Sequence, residues 1–164
     1  MTPFAGHPIV VGVTPDQPEL VVRTAAAWAS ALGVPVWFAY ADPTRLLVRE
    51  LADGTVQHED LSPDAADDSW RDREGALRAR LADLMGSSGV PWEFRYLAGR
   101  PDRALTHLAR LVDAAAIVVG TKTGRGPGLH ELLEGAVGQH LAHHQHRPVL
   151  LVPLAVVDWK TPLS

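Results

Sequence analysis

The chain has 164 residues, 46% of them apolar, which suits one ordinary domain with a substantial buried core. Its formal charge of -4 leaves no basic footprint and so excludes the usual electrostatics of nucleic-acid binding, and the absence of cysteine excludes disulfides and thiolate metal ligands. No apolar run approaches the length of a membrane span, and residues 1–7 lack a charged segment followed by an apolar stretch; the expectation is a cytoplasmic protein with no membrane partner.

Residues 8–13 form a short, nearly continuous β-branched run, the pattern of a strand covered on both faces. Asp16, with Glu19 three residues on, has the form of a capping box; Val21, Ala25, Trp28 and Leu32 then recur at helical spacing until Gly33 stops the helix. Residues 34–41 read as a second strand, completing a strand–helix–strand unit whose crossover is right-handed. Residues 42–68 break the alternation, being long for a connection and rich in Asp and Pro. Within them, residues 46–51 and 55–61 flank Ala52-Asp53-Gly54, so the insertion reads either as a hairpin or as an irregular loop, placed as a lid or arm after the second strand.

Trp70, Leu77, Leu81 and Leu84 share the next helical face, Gly86-Ser87-Ser88-Gly89 is a turn, and residues 92–98 are the third strand. Pro101 suits the first turn of a helix whose apolar stripe is Ala104, Leu105, Leu108 and Leu111. Residues 114–119 are the fourth strand, a glycine-rich segment occupies 120–128, a helix runs over about 129–143, and residues 148–152 are the fifth strand. This alternation predicts an α/β fold, a single doubly wound parallel five-stranded sheet with helices on both faces. The domain spans residues 8–153, followed by a tail, 154–164, that is too apolar at Ala155, Val156, Val157 and Trp159 for a simple disordered end. Trp28, Trp37, Trp70 and Trp92 are read as core or interface residues.

In such a sheet, ligands bind outside the carboxyl ends of the strands, where the strand order reverses. That logic points to Thr14-Pro15-Asp16 after the first strand and to residues 120–128 after the fourth. Gly120, Gly124, Gly126 and Gly128 fall within nine residues and lead into a helix, so backbone N–H groups and a helix N-terminus can face a phosphate, with Lys122 and Arg125 adding positive charge. A plain flexible connection accounts for the same glycines. His140, His143, His144 and His146 gather at the end of the last helix, and His140 and His144 are spaced to share a side. No local carboxylate or cysteine completes a metal set, so helix-end polar residues near the C-terminal dipole are the reading and no metal site is assigned. No nucleophile stands beside a base and no titratable pair marks the crevice; Asp16, Asp42 and Lys122 read as surface charge, and the expectation is a binding protein rather than an enzyme.

Four segments now fall in order: Ile9-Val10-Val11-Gly12-Val13, Leu97-Ala98-Gly99-Arg100-Pro101, Ala116-Ile117-Val118-Val119-Gly120, and Gly135-Ala136-Val137 followed by His144 and Pro148-Val149-Leu150-Leu151-Val152. Together they resemble the universal stress protein family, from the first strand through the fifth and least over residues 42–68. The resemblance implies strand order 3-2-1-4-5, a role in stress response and a client protein as partner. In the family's nucleotide-binding branch it implies an adenine-nucleotide (ATP) site at the two turns, with Mg expected only as the companion of ATP. The residues so implicated are Val13, Thr14, Ala41 through its main chain, Gly120, Lys122, Gly124, Arg125, Gly126, Gly135 and Ala136.

That branch carries an Asp at the end of the first strand, then Gly, two residues, Gly, nine residues, and Gly followed by Ser or Thr. Here Thr14 stands at the Asp position, with Asp16 two residues on. Gly120 and Gly124 enclose three residues, Gly124 and Gly135 enclose ten, and Ala136 has no hydroxyl to offer. The motif is degenerate: the backbone cradle persists while two side-chain contacts do not. The alternative is a dimeric interaction module that does not bind ATP. In that strand order residues 149–152 form an apolar edge, which is normally covered or paired, and in the family this strand commonly pairs with its counterpart; a homodimer through it is expected. A flavodoxin would need a hydroxyl-rich phosphate loop after the first strand. A response-regulator receiver would need an acidic pair there, a phosphorylatable Asp after the third strand and a Lys after the fifth. Thr14-Pro15-Asp16-Gln17-Pro18, Ala98-Gly99 and Pro153 supply none of these.

Overall fold

The computed structural model describes residues 2–50, 56–60, 69–121 and 129–154, with side chains for all but 46–50, 56–60 and 129–136. In chain order the elements are β1 (Ile9–Gly12), α1 (Leu20–Leu32), β2 (Val36–Asp42), β3 (Arg45–Glu50), β4 (Val56–Asp60), α2 (Ser69–Met85), β5 (Trp92–Ala98), α3 (Pro101–Leu111), β6 (Ala116–Thr121), α4 (Leu129–His144) and β7 (Val149–Pro153). Five strands pair in parallel in the order β5-β2-β1-β6-β7, which is the expected 3-2-1-4-5 arrangement. β3 and β4 make a separate antiparallel pair, so the insertion after β2 is a hairpin; its turn at Ala52-Asp53-Gly54 lies outside the described residues, as does the tail beyond Leu154.

The continuous apolar run of β1 is explained by a core on each face of the sheet. Ile9 and Val11 point into one core with Phe38, Phe94 and Val118, closed by Val21 and Ala25 of α1 and Leu77 and Leu81 of α2. Val10 points the other way, to Ile117, Val119 and Leu105, Leu108 and Ala109 of α3, with Leu141 of α4. Each such fully buried Val, Ile, Leu or Phe side chain contributes about 1.5 to 3 kcal/mol, and the period-two alternation is what lets one strand supply both cores. No helix among the described residues is long and apolar enough to cross a membrane.

Two local expectations are corrected. The capping box does not form: α1 begins at Leu20 behind Glu19, whose own dihedrals are helical and whose side chain makes no cap hydrogen bond. Glu19 is drawn instead to Arg23 one turn on, at 2.9 Å, while the Gln17 N–H donates to the Thr14 carbonyl and keeps Asp16 inside a turn before the helix. On α3, Leu111 is 75% exposed. The inward stripe is Leu105, Leu108, Ala109 and then Val112, the i, i+3, i+4, i+7 set, and Leu111 falls off it by helical rotation. Gly33 ends α1 as expected, with φ 66° and its N–H on the carbonyls of Ala29 and Ser30.

Candidate functional site

The strand order reverses between β1 and β6, and a cavity of about 470 Å³ lies at that point, above the carboxyl ends of the strands. Its floor follows from unequal strand lengths. The β1–β2 ladder ends at Gly12↔Ala39, whereas the β2–β5 ladder continues to Asp42↔Ala98. The Ala39 carbonyl accepts from the Val13 N–H at 2.9 Å, so Ala39 faces β1, and by alternation Ala41 turns its main-chain groups the same way, past the end of β1 and into the crevice. Pro101 and Leu105 of α3 and Val137 of α4 close the far side.

Close approach at both strand ends depends on glycine. A Cβ on Gly12 would lie 2.9 Å from Leu105 Cδ1, and one on Gly120 would lie 2.7 Å from Gln17 Nε2. The turn after β1 is held from beneath by Arg80 of α2, which donates to the Pro15 carbonyl at 2.7 Å and to the Gln17 carbonyl. Thr14, Pro15, Asp16 and Gln17 all line the cavity from that turn.

At the β2 end the wall is a polar network. Asp42 is 1% exposed, which corrects its reading as surface charge. Its Oδ1 accepts from the Thr44 N–H at 3.0 Å and hydroxyl at 2.6 Å; its Oδ2 accepts from Arg73 Nη1 at 2.8 Å and the Tyr96 hydroxyl at 2.6 Å. Burial works against the Asp42 charge, but the hydrogen bonds from Thr44 and Tyr96 and the Arg73 guanidinium outweigh it and hold the carboxyl below the usual range. The same burial, with the Asp42 contact, pushes the Tyr96 hydroxyl well above the ordinary phenol range, and Tyr40 is raised by burial and then by the Asp42 charge. Tyr40 and Tyr96 meet edge to face at 5.2 Å, Trp70 packs on Tyr96 at 5.8 Å, and the Arg45 guanidinium covers Trp70 at 4.5 Å, joining the base of the hairpin to α2 and β5.

Of the residues singled out from sequence, Val13, Thr14, Ala41 and Gly120 come together on this cavity. Lys122, Gly124, Arg125 and Gly126 lie outside the described residues, and Gly135 and Ala136 are placed within α4 with their side chains outside the description. Sequence reasoning missed Gln17, Tyr40, Thr44, Arg73 and Tyr96. Arg73 sits on a helix whose only legible signal was its apolar stripe, and Tyr40 stands beside Tyr96 by a strand register that no local pattern encodes. Among the described residues no three His, Asp or Glu side chains gather in metal-binding geometry. His144 Nδ1 lies 3.0 Å from the His140 carbonyl, and His140 lies 3.9 Å from Asp102, a carboxylate brought by α3 rather than by its own helix.

These features define a doubly wound α/β domain with a ligand-sized cavity at its switch point. The sequence profile described as the universal stress protein family matches residues 6–153, and the chain belongs to that family. A universal stress protein from Archaeoglobus fulgidus, solved in complex with dAMP, superposes with a TM-score of 0.60 at 23% identity, over 89% of this chain and 97% of that one. A universal stress protein solved in complex with cAMP gives 0.60 at 25% identity, over 92% and 99%. The universal stress protein UspA from Lactobacillus plantarum gives 0.65 at 16% identity, over 90% and 98%. No curated protein matches the chain in sequence.

Proposed function

We propose that the chain is a stress-response regulatory protein that binds an adenine nucleotide at the β1–β6 switch point and catalyses no reaction. The observation that carries this reading is the cavity itself: about 470 Å³, within the usual range for small-molecule sites, walled by Val13, Ala39, Leu105 and Val137 with the main chain of Ala41 turned into it. The dAMP and cAMP complexes of two structurally similar proteins support an adenine nucleotide as the ligand. Asp42 already accepts four hydrogen bonds and has no lone pair left for general-base work, which favours binding over catalysis. The working form is a cytoplasmic homodimer paired through β7 that signals to a client protein.

Thr14 and Ala136 withhold two contacts of the nucleotide-binding branch, and a lost hydrogen bond to a charged phosphate costs about 1.5 to 3 kcal/mol, roughly tenfold or more in affinity. ATP, carried with Mg, therefore binds weakly, with a Kd of roughly tens of micromolar or poorer. Calorimetric titration of ATP into the parent, Thr14→Asp, Ala136→Ser and the double variant tests this. The double variant binds clearly tighter than the parent if the crevice is a nucleotide site. If neither form binds, the chain is the interaction module instead.

A further inference from the structure

Among the described residues that line the cavity, Arg73 is the one cation, and it comes from α2, an element outside the two turns that define the site. Its guanidinium is fixed from three sides: Nη1 donates to Asp42 Oδ2 at 2.8 Å and to the Tyr96 hydroxyl at 3.2 Å, and Nη2 donates to Ser69 Oγ at 3.2 Å. The side chain remains 36% exposed while that of Asp42 is 2% exposed, so the pair is buried on its anionic side and open on its cationic side. The Tyr40 hydroxyl is a fourth hydrogen-bond partner, and a guanidinium, with five N–H donors in a planar fork, keeps one donor and its exposed face beyond these contacts.

Two roles suit such a group, and the charges around it decide between them. An unpaired guanidinium recognises phosphate. This one has its charge balanced by Asp42, and Asp16 also lines the cavity, so an incoming phosphate gains little net attraction. A neutral planar ring with a hydrogen-bond acceptor loses nothing by that balance: it can take the remaining N–H donor or stack on the guanidinium plane. The neighbouring wall fits such a ring, since Val13, Ala39, Ala41 and Pro43 are apolar or present main chain, and Tyr40 stands beside them.

We propose that Arg73 reads the heterocycle of the bound nucleotide, a purine base stacked on the guanidinium plane or presenting an acceptor to its remaining N–H, and that Asp42 and Tyr96 are positioning residues that hold it there. This rests on the nucleotide reading given above. It differs from a general anion site in that the specificity lies with the ring, and a fork already held in place loses little freedom on binding.

Ligand-observed NMR titration with two separate probes, adenosine and inorganic tripolyphosphate, together with ATP, distinguishes these roles. Arg73→Lys keeps the charge beside Asp42 and removes the planar fork: adenosine and ATP weaken about tenfold, while tripolyphosphate is unchanged. Tyr96→Phe removes one of the groups orienting the fork and weakens adenosine severalfold, again without effect on tripolyphosphate. It decides the matter alone if Arg73→Lys does not fold. Loss of tripolyphosphate binding with adenosine unchanged overturns the assignment in favour of a phosphate contact, and adenosine affinity unchanged in both variants overturns it outright. If the parent binds neither adenosine nor ATP, the nucleotide reading itself falls and takes this proposal with it.

Discussion

Arg73 Nη1 donates to Asp42 Oδ2 at 2.8 Å, tying the end of β2 to the first turns of α2. The two partners are unequal, because the Asp42 side chain is 2% exposed and the Arg73 side chain 36%. Left unpaired, Asp42 would be a charge buried away from water, whereas Arg73 keeps a path to it.

Asp42→Asn is therefore expected to destabilise the fold at pH 7 by roughly 2 to 4 kcal/mol, less than the loss of a wholly buried pair because the guanidinium stays solvated. The folded-state pKa of Asp42 lies below its unfolded value, so its contribution is complete above about pH 4 and is lost as pH falls through the folded value. Denaturant melts from neutral pH into acid should show the parent losing stability faster than Asp42→Asn, with the gap between them closing. A gap that stays constant into strong acid would mean that the carboxylate charge is not what stabilises the network.

The glycines separate by what surrounds them. A Cβ on Gly12 meets Leu105 Cδ1 at 2.9 Å and Val119 Cγ1 at 3.1 Å, both in side chains that are almost fully buried, and Gly12→Ala is expected to cost about 1 to 3 kcal/mol through overpacking. On Gly138 the neighbour is Leu151 Cδ2 at 2.8 Å, but Leu151 is 46% exposed and can swing outward. Alanine inside α4 also gains about 1 kcal/mol of helix propensity, so Gly138→Ala is expected to be near neutral. Thermal melts of the two variants check the order; Gly138→Ala as the more damaging change would contradict it.

Among the described residues β7 has a strand neighbour on one side only, β6. The Ile117 N–H donates to the Pro148 carbonyl and the Leu154 N–H to the Thr121 carbonyl, so even-numbered residues of this strand face β6, and the N–H groups of Val149 and Leu151 face away. If β7 pairs with its counterpart in a second copy, Leu151→Pro removes an outward donor without touching the β6 ladder. Light scattering should find a dimer for the parent at micromolar concentration and a folded monomer for Leu151→Pro. A monomeric parent, or a Leu151→Pro variant that remains dimeric, would count against pairing through this edge.

The element order was legible from the chain alone because buried strands and amphipathic helices write themselves locally: Ile9-Val10-Val11 as an unbroken apolar run, Val21 and Ala25 at helical spacing, Gly33 as a stop. The turns after the first and fourth strands followed from the strand–helix alternation, and the resemblance to the family supplied the strand order under which Val13, Thr14, Ala41 and Gly120 now meet. What packing alone decided is the other wall of the site. Asp42 looked like solvated charge because its partners lie elsewhere in the chain: Arg73 is 31 residues away and Tyr96 is 54. The parallel register that sets Tyr40 against Tyr96, and the docking of α2 that delivers Arg73, depend on how two apolar faces fit together. Periodicity says which face of an element is buried, but not which distant polar group it carries to a buried carboxylate.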